Sequence, residues 1–273
     1  MLKTEYHIHS DFSDGKLTPL DIIDLIQKQG IDVFSITDHY EIEANNTIKK
    51  ILDDKKIKYI DGIEIDTDEE GLHILGYGID CENYELKNEL KKYKMFRMVY
   101  WEQILFDISK SNKINIKCKK LVDLGFNLTL TDLEKYLSME NPNSNTKKII
   151  QEFINHDLYL KIKNNKFSVK KAIHLIKQAN GVPVLAHLDR LGDKKRIKQI
   201  ISEKLIPLGL KGLESGYPTY SDEFSAWVSI IADEFNLITT NGSDFHEVED
   251  VVYLGSSNNV ELYNYLGDIN KHR

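Results

Sequence analysis

The chain has 273 residues, enough for one large hydrophobic core or for one core with a modest insertion. Hydrophobic residues make up 41% of the sequence and charged residues 29%, which are ordinary values for a soluble globular protein. The net charge of −7 argues against binding to long duplex nucleic acid, because such binding requires many phosphate charges to be neutralised.

Segments that would direct the chain to a membrane or out of the cell are not evident in the sequence. No apolar run reaches the roughly 18 residues that span a bilayer, and the N-terminus lacks a signal-peptide pattern. Cys81 and Cys118 form neither a disulfide framework nor a zinc-binding CxxC pair. We therefore expect no membrane partner and a reducing, cytoplasmic environment.

Short apolar runs and helical patterns alternate over the first 80 residues, which favours βα units and a parallel sheet. In the first predicted helix, Thr18 is a plausible N-cap, Pro19 suits the first helical position and Gly30 ends the helix. The predicted elements are, in order, a strand at residues 5–9, a helix at 17–30, a strand at 32–39, a helix at 44–54, and strands at 58–65 and 72–79.

The alternation stops at residues 81–166, where the pattern is mainly helical. A long helix is predicted from Tyr84 to about Ser109, with shorter helices near 131–139 and 146–156. Charge is uneven here: residues 61–85 hold nine acids and no Lys or Arg, whereas residues 87–120 hold ten Lys or Arg and three acids. Such runs are either solvated helix faces or a basic surface that recognises the substrate.

Strand–helix order resumes near residue 167. The later elements are predicted as a helix at 168–181, strands at 182–188 and 212–215, a helix at 221–236, a strand with its following loop at 237–246, and a short helix near 258–266. The simplest architecture is a small α/β barrel built from residues 1–80 and 167–273 and interrupted by a helical insertion at 81–166.

Imidazoles and carboxylates recur at the ends of these predicted strands, and in a parallel barrel the carboxyl ends carry the active site. Side chains two apart on a strand project to the same side, so the two histidines of "YHIHS" should point together. Six of the nine histidines share this placement: His7, His9, His39, His73, His187 and His246. The carboxylates in matching places are Asp14, Asp38, Glu64 and Asp244.

Such a set of buried polar groups predicts a metal centre. Leaving these groups uncompensated would cost several kcal/mol each, and divalent cations satisfy both carboxylates and imidazoles. Nitrogen and oxygen ligands without cysteine favour Mn, Zn or Fe over Ca, and about nine ligands suffice for two or three ions. Each motif alone also has a structural reading, as a core histidine or a capping turn. Three histidines outside the pattern are expected to be structural or exposed: His156, His174 and His272.

The segments "HIHSDFSDG", "ITDH", "GIEI", "LHILGYGI", "LAHLDR" and "GSDFH" together resemble the PHP family, named after polymerase and histidinol phosphatase domains. Within that family the chain is similar to stand-alone metal-dependent phosphoesterases. Its helical stretch is similar to the insertion in the branch of nucleoside 3′,5′-bisphosphate phosphatases and 5′–3′ exoribonucleases. The resemblance implies a distorted (β/α)7 TIM-like barrel with up to three metal ions.

The resemblance also implies a distribution of ligands among the ions. One ion would be held by His7, His9, Glu64 and Asp244. Glu64 would bridge to a second ion held also by His73 and His187, and a third would be held by Asp14, His39 and His246. Asp38 would belong to the catalytic site as a supporting residue that orients an imidazole or a bound water.

The function that we expect is hydrolysis of a phosphomonoester by metal-activated hydroxide. The expected substrate is a small nucleotide, either a nucleoside 3′,5′-bisphosphate or the 5′ end of a short RNA. Hydrolysis of histidinol phosphate is the alternative within the enzyme class. A non-catalytic, metal-stabilised binding module is the alternative from another class.

Four basic residues are candidates for substrate binding. Arg190 matches an arginine that relatives place near the substrate phosphate, although a surface salt bridge would also explain it. Lys94 and Arg97 share a helix face, and Lys147 occupies a position where relatives often have arginine. The aromatic residues of that region either stack on a base or pack on the domain: Tyr93, Phe96, Tyr100 and Trp101. Relatives often have proline where this chain has Leu188.

Overall fold

The computed structural model describes residues 2–52, 57–123, 128–255 and 258–271 and has a mixed α/β fold. Its strands are β1 (Thr4–Glu5), β2 (Val33–Phe34), β3 (Lys58–Tyr59), β4 (Gly62–Asp66), β5 (His73–Tyr77), β6 (Val182–Leu185), β7 (Gly212–Gly216) and β8 (Ile238–Asn241).

The α-helices are α1 (Pro19–Lys28), α2 (Glu43–Leu52), α3 (Tyr84–Asn112), α4 (Cys118–Asp123), α5 (Leu130–Glu140), α6 (Thr146–Ile154), α7 (Asp157–Asn164), α8 (Val169–Gln178), α9 (Lys194–Gln199), α10 (Ile206–Leu208), α11 (Asp222–Glu234) and α12 (Glu261–Lys271). A π-helical segment, Ile200–Leu205, joins α9 to α10, and two 3-10 helices cover Leu188–Leu191 and Val248–Val252. Among the described helices, even the longest lacks an apolar stretch of membrane-spanning length.

The chain divides into two compact units. The first unit comprises Met1–Lys87 and Phe167–Arg273, and the second unit comprises Asn88–Lys166. The predicted insertion begins at residue 81, in the turn before α3, and the division between the two units lies in the first turns of α3, after Lys87.

The strands of the first unit form two sheets. Strands β1, β2 and β3 are parallel neighbours in one sheet, and the other has the order β4-β5-β6-β7-β8. Two isolated parallel bridges connect the two sheets. Ile8, which follows β1, pairs with Phe245, which follows β8, and His39, which follows β2, pairs with Glu64 in β4. The segment after β1 therefore lies beside the segment after β8, and the segment after β2 lies beside β4.

Both ends of helix α1 have the capping residues that the sequence predicted. At α1, the Thr18 hydroxyl accepts the Asp21 N–H at 3.2 Å, and the Asp21 carboxylate accepts the Thr18 N–H at 3.3 Å. Pro19 occupies the first turn, and Gly30 has the positive φ of 63° that ends the helix. These features confirm the prediction for this helix.

The predictions for the strands at 58–65 and 72–79 were partly wrong. The stretch "KYIDGIEI" forms two strands, β3 and β4, which belong to different sheets. Strand β5 is antiparallel to both β4 and β6, whereas a parallel sheet was expected. The reason is the short connection between β4 and β5, since a parallel crossover needs a dozen or more residues. Three other predicted strands (5–9, 32–39 and 182–188) are shorter than expected, and the strand predicted with its loop at 237–246 is β8.

Several helices were not predicted, namely α4, α7 and the run from α9 to α10. The predicted helix at 44–54 is α2, which ends at Leu52, and residues 53–54 lie outside the described residues. The other predicted helices are present with bounds shifted by a few residues, which is usual at frayed ends.

Each unit has its own hydrophobic core. In the first unit, helices α1 and α2 pack Ile22, Ile26 and Ile48 against Ile8 and Phe34. A second cluster of this unit contains Tyr6, Val33, Leu75, Tyr77 and Val184. In the second unit the core surrounds Trp101 and Phe153, whose ring centroids are 4.4 Å apart.

Candidate metal centre

The candidate site begins with the residues that follow strand β1. His7 and His9 alternate with the core residues Tyr6 and Ile8, so both imidazoles project to the opposite side. The segment is hydrogen-bonded on two sides, since His9 N donates to Phe245 O at 2.8 Å and Ile8 O accepts from Thr37 N at 2.8 Å. Both imidazoles are completely buried. The backbone therefore fixes where the two rings point.

The first ligand group consists of His7, His9, Glu64 and Asp244. His7 Nε2 lies 3.1 Å from Glu64 Oε2 and 3.3 Å from Asp244 Oδ1. His9 Nε2 lies 3.1 Å from each of the same two oxygens. Two nitrogens and two oxygens thus converge on one point.

The second group uses the other oxygen of Glu64. Glu64 Oε1 lies 2.9 Å from His73 Nδ1 and 3.1 Å from His187 Nε2. His39, whose Nε2 is 3.6 Å from Glu64 Oε2, also belongs to a candidate group with Glu64 and His73. Because its two oxygens face different imidazoles, Glu64 is placed between two candidate positions for an ion.

The third group contains His9, Asp14, His39 and His246. Asp14 Oδ1 lies 3.5 Å from His9 Nδ1 and 3.4 Å from His246 Nε2, and Asp14 Oδ2 lies 3.9 Å from His39 Nε2. The His9 ring is stacked between those of His39 and His246, at centroid distances of 4.6 and 4.3 Å. A neutral imidazole has one lone pair, so His9 can ligate an ion in the first group or in the third, but not in both.

The donor set fits divalent cations. Neither ring nitrogen of His9 has a hydrogen-bond partner, although Nε2 is only 3.1 Å from two carboxylate oxygens. His39 Nδ1 and His187 Nδ1 are also buried without a partner, but in these two rings the nitrogen that faces a carboxylate is Nε2. Buried imidazole nitrogens that approach carboxylates without hydrogen-bonding to them are what ligands arranged around a cation would show. Nitrogen and oxygen donors suit Mn, Zn or Fe.

The pKa values of the clustered side chains also favour cation binding. Burial by itself would raise the pKa of Glu64 and Asp244, but nearby imidazoles hold both values well below the ordinary range, chiefly those of His39 and His7 for Glu64 and those of His7 and His9 for Asp244. Burial lowers the pKa of His9, yet Asp244 and Glu64 outweigh it and raise the value to about 10. The carboxylates are therefore ionised at neutral pH, and protons and metal ions compete for the same imidazole lone pairs.

Asp38 is buried beside the loop that follows His9. It belongs to none of the ligand groups, and its carboxylate accepts hydrogen bonds from Ser10 N at 2.7 Å, Ser10 Oγ at 2.6 Å and Ser13 Oγ at 2.5 Å. Its partners are thus serines of the 10–15 loop rather than an imidazole. This loop carries Asp14, and a Cβ at Gly15 would lie 2.2 Å from His9 O. Asp38 therefore shapes the loop that presents Asp14.

Arg190 lies at the edge of the cluster. Its Nη2 donates to Asp244 Oδ2 at 2.9 Å and to the Tyr217 hydroxyl at 2.7 Å, and Tyr217 in turn donates to Asp244 Oδ2 at 2.9 Å. Burial, reinforced by Asp244, raises the pKa of Tyr217, so its hydroxyl remains protonated. Asp244 Oδ2 therefore accepts hydrogen bonds from Arg190 and Tyr217, while Oδ1 faces His7 and His9.

Glu214 is the functional candidate that the sequence analysis missed. It lies on β7, is completely buried, and contacts His7 Nδ1 through Oε1 at 2.9 Å and His187 N through Oε2 at 2.8 Å. Burial lowers the pKa of His7, but the carboxylates of Glu214 and Glu64 outweigh this effect and hold the value well above the ordinary one. The signal was present in the sequence: "GLES" repeats the pattern of "GIEI", in which a strand carries a single glutamate after Gly and an aliphatic residue.

The other substrate-binding candidates lie in the second unit. Lys94 and Lys147 are exposed, whereas Arg97 is partly buried and its Nη2 donates to Leu128 O at 2.8 Å. The stacking hypothesis was wrong for Tyr93 and Trp101, because both side chains are buried.

The histidines assigned no site role have other surroundings. His156 caps helix α7 by accepting Leu158 N at 3.2 Å through Nδ1, and His174 is 53% exposed near Glu85. His272 lies outside the described residues. Cys81 and Cys118 are both free and buried.

The family follows from a comparison with known proteins. The PHP domain model matches residues 5–234, which include every ligand candidate except Asp244 and His246. The chain therefore belongs to the PHP family, as its motifs predicted.

Individual relatives are consistent with this assignment. The chain is 26% identical over 249 residues to a 5′-3′ exoribonuclease of Haemophilus influenzae, covering 89% of this chain and 90% of that protein. It is 21% identical over 250 residues to a 3′,5′-nucleoside bisphosphate phosphatase of Chromobacterium violaceum, covering 90% and 88%. Among solved structures, an amidohydrolase from Chromobacterium violaceum with bound sulfate superimposes with a TM-score of 0.72 at 22% identity, covering 93% and 90%. This last match shows a shared fold.

Proposed function

We propose that this protein is a metal-dependent phosphoesterase that hydrolyses a phosphomonoester of a small nucleotide, either a nucleoside 3′,5′-bisphosphate or the 5′ end of a short RNA. The observation that carries the proposal is the position of Glu64. Its Oε2 lies 3.1 Å from His7 and His9, and its Oε1 lies 2.9 Å from His73 and 3.1 Å from His187. One carboxylate between two sets of imidazoles is suited to bridging two cations.

The proposed ligand sets are those that the resemblance implies. The first ion would be held by His7, His9, Glu64 and Asp244, the second by Glu64, His73 and His187, and the third by Asp14, His39 and His246. Two or three divalent ions (Mn, Zn or Fe) would, when bound, polarise phosphoryl oxygens and lower the pKa of water.

The protein side chains themselves bind and orient the substrate. Arg190 is 43% exposed, so its guanidinium can contact a phosphate while Nη2 remains bonded to Asp244. A planar guanidinium can donate two parallel hydrogen bonds to phosphate oxygens. We therefore keep Arg190 as the proposed phosphate-binding residue, with Tyr217 holding its position through the 2.7 Å hydrogen bond.

Three basic residues of the second unit are further proposed substrate-binding residues: Lys94, Arg97 and Lys147. Lys94 and Lys147 are exposed and positively charged, which suits them to a second phosphate. Arg97 is tied to Leu128 O through one nitrogen and retains other donors. The two relatives described above are named as a 5′-3′ exoribonuclease and a 3′,5′-nucleoside bisphosphate phosphatase. Similarity to them supports a phosphorylated nucleotide as the substrate.

We also propose that the strands close into a distorted (β/α)7 barrel. The bridge between Ile8 and Phe245 joins the segments that follow β1 and β8, and the bridge between His39 and Glu64 joins the two sheets on the other side. Each strand from β4 to β8 also pairs with its neighbour. A closed ring of neighbours is what a barrel requires.

Phosphate release tests the proposal. Protein reconstituted with Mn²⁺, Zn²⁺ or Fe²⁺ would be assayed against a nucleoside 3′,5′-bisphosphate, a short 5′-phosphorylated RNA and histidinol phosphate. We expect turnover of a nucleotide substrate, and a loss of at least about 100-fold in His9→Ala, since a lost ligand removes several kcal/mol of charge stabilisation. His174→Ala, at an exposed histidine of the same unit, is the matched control and should retain activity.

The same assays distinguish the alternative functions. Equal phosphate release by the wild type and His9→Ala would exclude a metal-dependent enzyme. Turnover of histidinol phosphate alone would replace the proposed substrate but not the chemistry. Metal binding without any turnover would indicate a metal-stabilised binding module. Chromatography of the RNA products would separate loss of the 5′ phosphate from release of mononucleotides.

A further inference from the structure

A single buried carboxylate contacts two candidate ligands that belong to different groups. Glu214 is fully buried on strand β7. Its Oε1 lies 2.9 Å from His7 Nδ1, and its Oε2 accepts the backbone N–H of His187 at 2.8 Å. His7 belongs to the first ligand group, and His187 contacts the other oxygen of Glu64.

The contact with Glu214 favours one tautomer of His7 when the ring serves as a ligand. Each ring nitrogen faces a carboxylate, Nδ1 at 2.9 Å from Glu214 Oε1 and Nε2 at 3.1 Å from Glu64 Oε2. When Nε2 offers its lone pair to an ion, the single proton of the neutral ring is on Nδ1, where Glu214 Oε1 accepts it. The lone pair of the neutral ring is then on Nε2, which lies 3.1 Å from Glu64 Oε2 and 3.3 Å from Asp244 Oδ1. Glu214 thus directs the ligating nitrogen of His7 toward the centre of the group.

The hydrogen bond to His187 holds an unusual backbone. His187 has φ 26° and ψ 64°, in a left-handed region that non-glycine residues seldom adopt. This conformation immediately precedes the 3-10 helix Leu188–Leu191 and leaves His187 Nε2 3.1 Å from Glu64 Oε1. The Glu214 carboxylate is therefore the partner of the peptide N–H at the strained residue.

Packing leaves this arrangement little freedom. A Cβ built at Gly242 would lie 2.1 Å from His7 Cβ and 3.0 Å from Glu214 Oε1. The backbone at Gly242 therefore presses directly against the pair, and neither side chain can move toward it.

We propose that Glu214 is a positioning residue that sets the His7 tautomer and holds the His187 backbone, so that two ligands of neighbouring ions are aligned by one carboxylate. This inference rests on the proposed metal-dependent function. It predicts that loss of the carboxylate weakens more than one metal-binding step, although Glu214 itself is not a ligand. Partners of this kind typically change metal affinity by about 10- to 100-fold.

Titration with Zn²⁺ alone provides the first measurement. In Glu214→Gln, one end of the side chain is an NH₂ group, so one of the two N–H donors loses its acceptor in either orientation. We expect Zn²⁺ affinity to fall by about 10- to 100-fold at two of the binding steps. Glu261→Gln is the matched control, since Glu261 accepts the Thr239 N–H at 2.9 Å and belongs to no described ligand group. It should bind Zn²⁺ as the wild type does.

The imidazole nitrogen spectrum provides the second measurement and requires no Glu214 variant. In the Zn²⁺-loaded wild type, ¹⁵N NMR should show His7 protonated at Nδ1 and unprotonated at Nε2, with His7→Asn used for assignment. A ring protonated at Nε2 would have no proton at Nδ1 to donate to Glu214 Oε1. Should Glu214→Gln fail to fold, this spectrum can still overturn the proposal.

The outcomes separate this inference from the proposed function. Wild-type Zn²⁺ affinity in a folded Glu214→Gln variant, or a His7 ring protonated at Nε2 in the loaded wild type, would overturn the positioning role. A wild-type protein that does not bind Zn²⁺ at all would instead overturn the proposed metal centre, and this inference with it.

Discussion

The two units of this protein bury different kinds of side chain. In the first unit, fully or almost fully buried positions include His7, His9, Glu64, His187 and Glu214. Among the described residues of the second unit, the buried side chains are hydrophobic, around Trp101 and Phe153, and none of the candidate ligand groups lies there.

This difference separates stability from function. Buried apolar side chains stabilise a fold directly, whereas buried carboxylates and imidazoles are costly unless they are paired or bound to a cation. The second unit is built as an ordinary helical core. The first unit retains a cluster that a protein under selection for stability alone would not need, and we infer that it is kept for chemistry.

The largest effect that we expect is a loss of activity on substitution of Glu64, which tests whether the polar cluster of the first unit is needed for function. Glu64→Gln keeps the shape of the side chain but removes the charge between the two candidate ion positions. We expect phosphatase activity of the metal-loaded protein to fall by at least about 1,000-fold, since several kcal/mol of charge stabilisation are lost. Steady-state kinetics and metal analysis by mass spectrometry would measure the change.

Glu234→Gln is the matched control, because Glu234 is half exposed and pairs with Lys198 at the surface. Its activity and metal content should equal those of the wild type. Activity of Glu64→Gln within tenfold of the control would show that the charge of Glu64 is not needed.

The next largest effect is a loss of stability, which tests the role of the hydrophobic core of the second unit. Trp101 is 1% exposed and packs on Phe153 in the second unit. Trp101→Ala should lower the free energy of unfolding by about 3–5 kcal/mol, because it removes a large buried side chain and leaves a cavity. Urea unfolding followed by circular dichroism would measure it. Zn²⁺ binding should persist, since no described ligand group includes residues of this unit.

Phe106→Ala provides the comparison within the same helix. Phe106 is 51% exposed, so its loss should change the free energy of unfolding by no more than about 0.5 kcal/mol. If Trp101→Ala abolished Zn²⁺ binding while the protein remained folded, the separation of roles between the units would be wrong.

The smallest effect that we expect concerns the labelling rates of the two cysteines, Cys81 in the first unit and Cys118 in the second. Burial raises the pKa of the Cys81 thiol to about 12 and that of the Cys118 thiol to about 11, from an ordinary value of 9.0. Because the thiolate is the reactive form, a raised pKa lowers its fraction at pH 8. Both thiols should therefore react slowly with iodoacetamide in the native protein, and the rates should rise as the pH increases toward those values.

Mass spectrometry of the labelled peptides would give the two rates separately, with urea-unfolded protein as the reference. Rapid labelling of either cysteine at pH 8 in the native state would show that its unit opens readily, which would contradict a stably packed core.

Much of the local structure could be read from the sequence. Thr18, Pro19 and Gly30 predicted the bounds of the first helix because capping depends on residues only a few positions apart. The residue types of the site were equally visible, since histidines and carboxylates at strand ends have few structural uses. The structure brings the predicted ligand candidates together around Glu64 and Asp14.

The direction of β5 could also have been predicted, because the predicted strands at 58–65 and 72–79 leave too short a connection for a parallel crossover. Other features were beyond the sequence. Asp38 could not be assigned its serine partners, nor Arg190 its contact with Asp244, since these contacts join distant parts of the chain.

The sequence by itself determined the family, the helix boundaries with strong caps and the kinds of atoms available to bind metal, because these depend on residue identity and short-range spacing. Only the tertiary structure decided which nitrogen of each imidazole faces which oxygen, the left-handed backbone at His187 and the place of Glu214 behind His7. The physical reason is that such contacts depend on strands brought side by side from positions as far apart as residues 7 and 214. Their geometry is set by packing and not by any local preference of the chain.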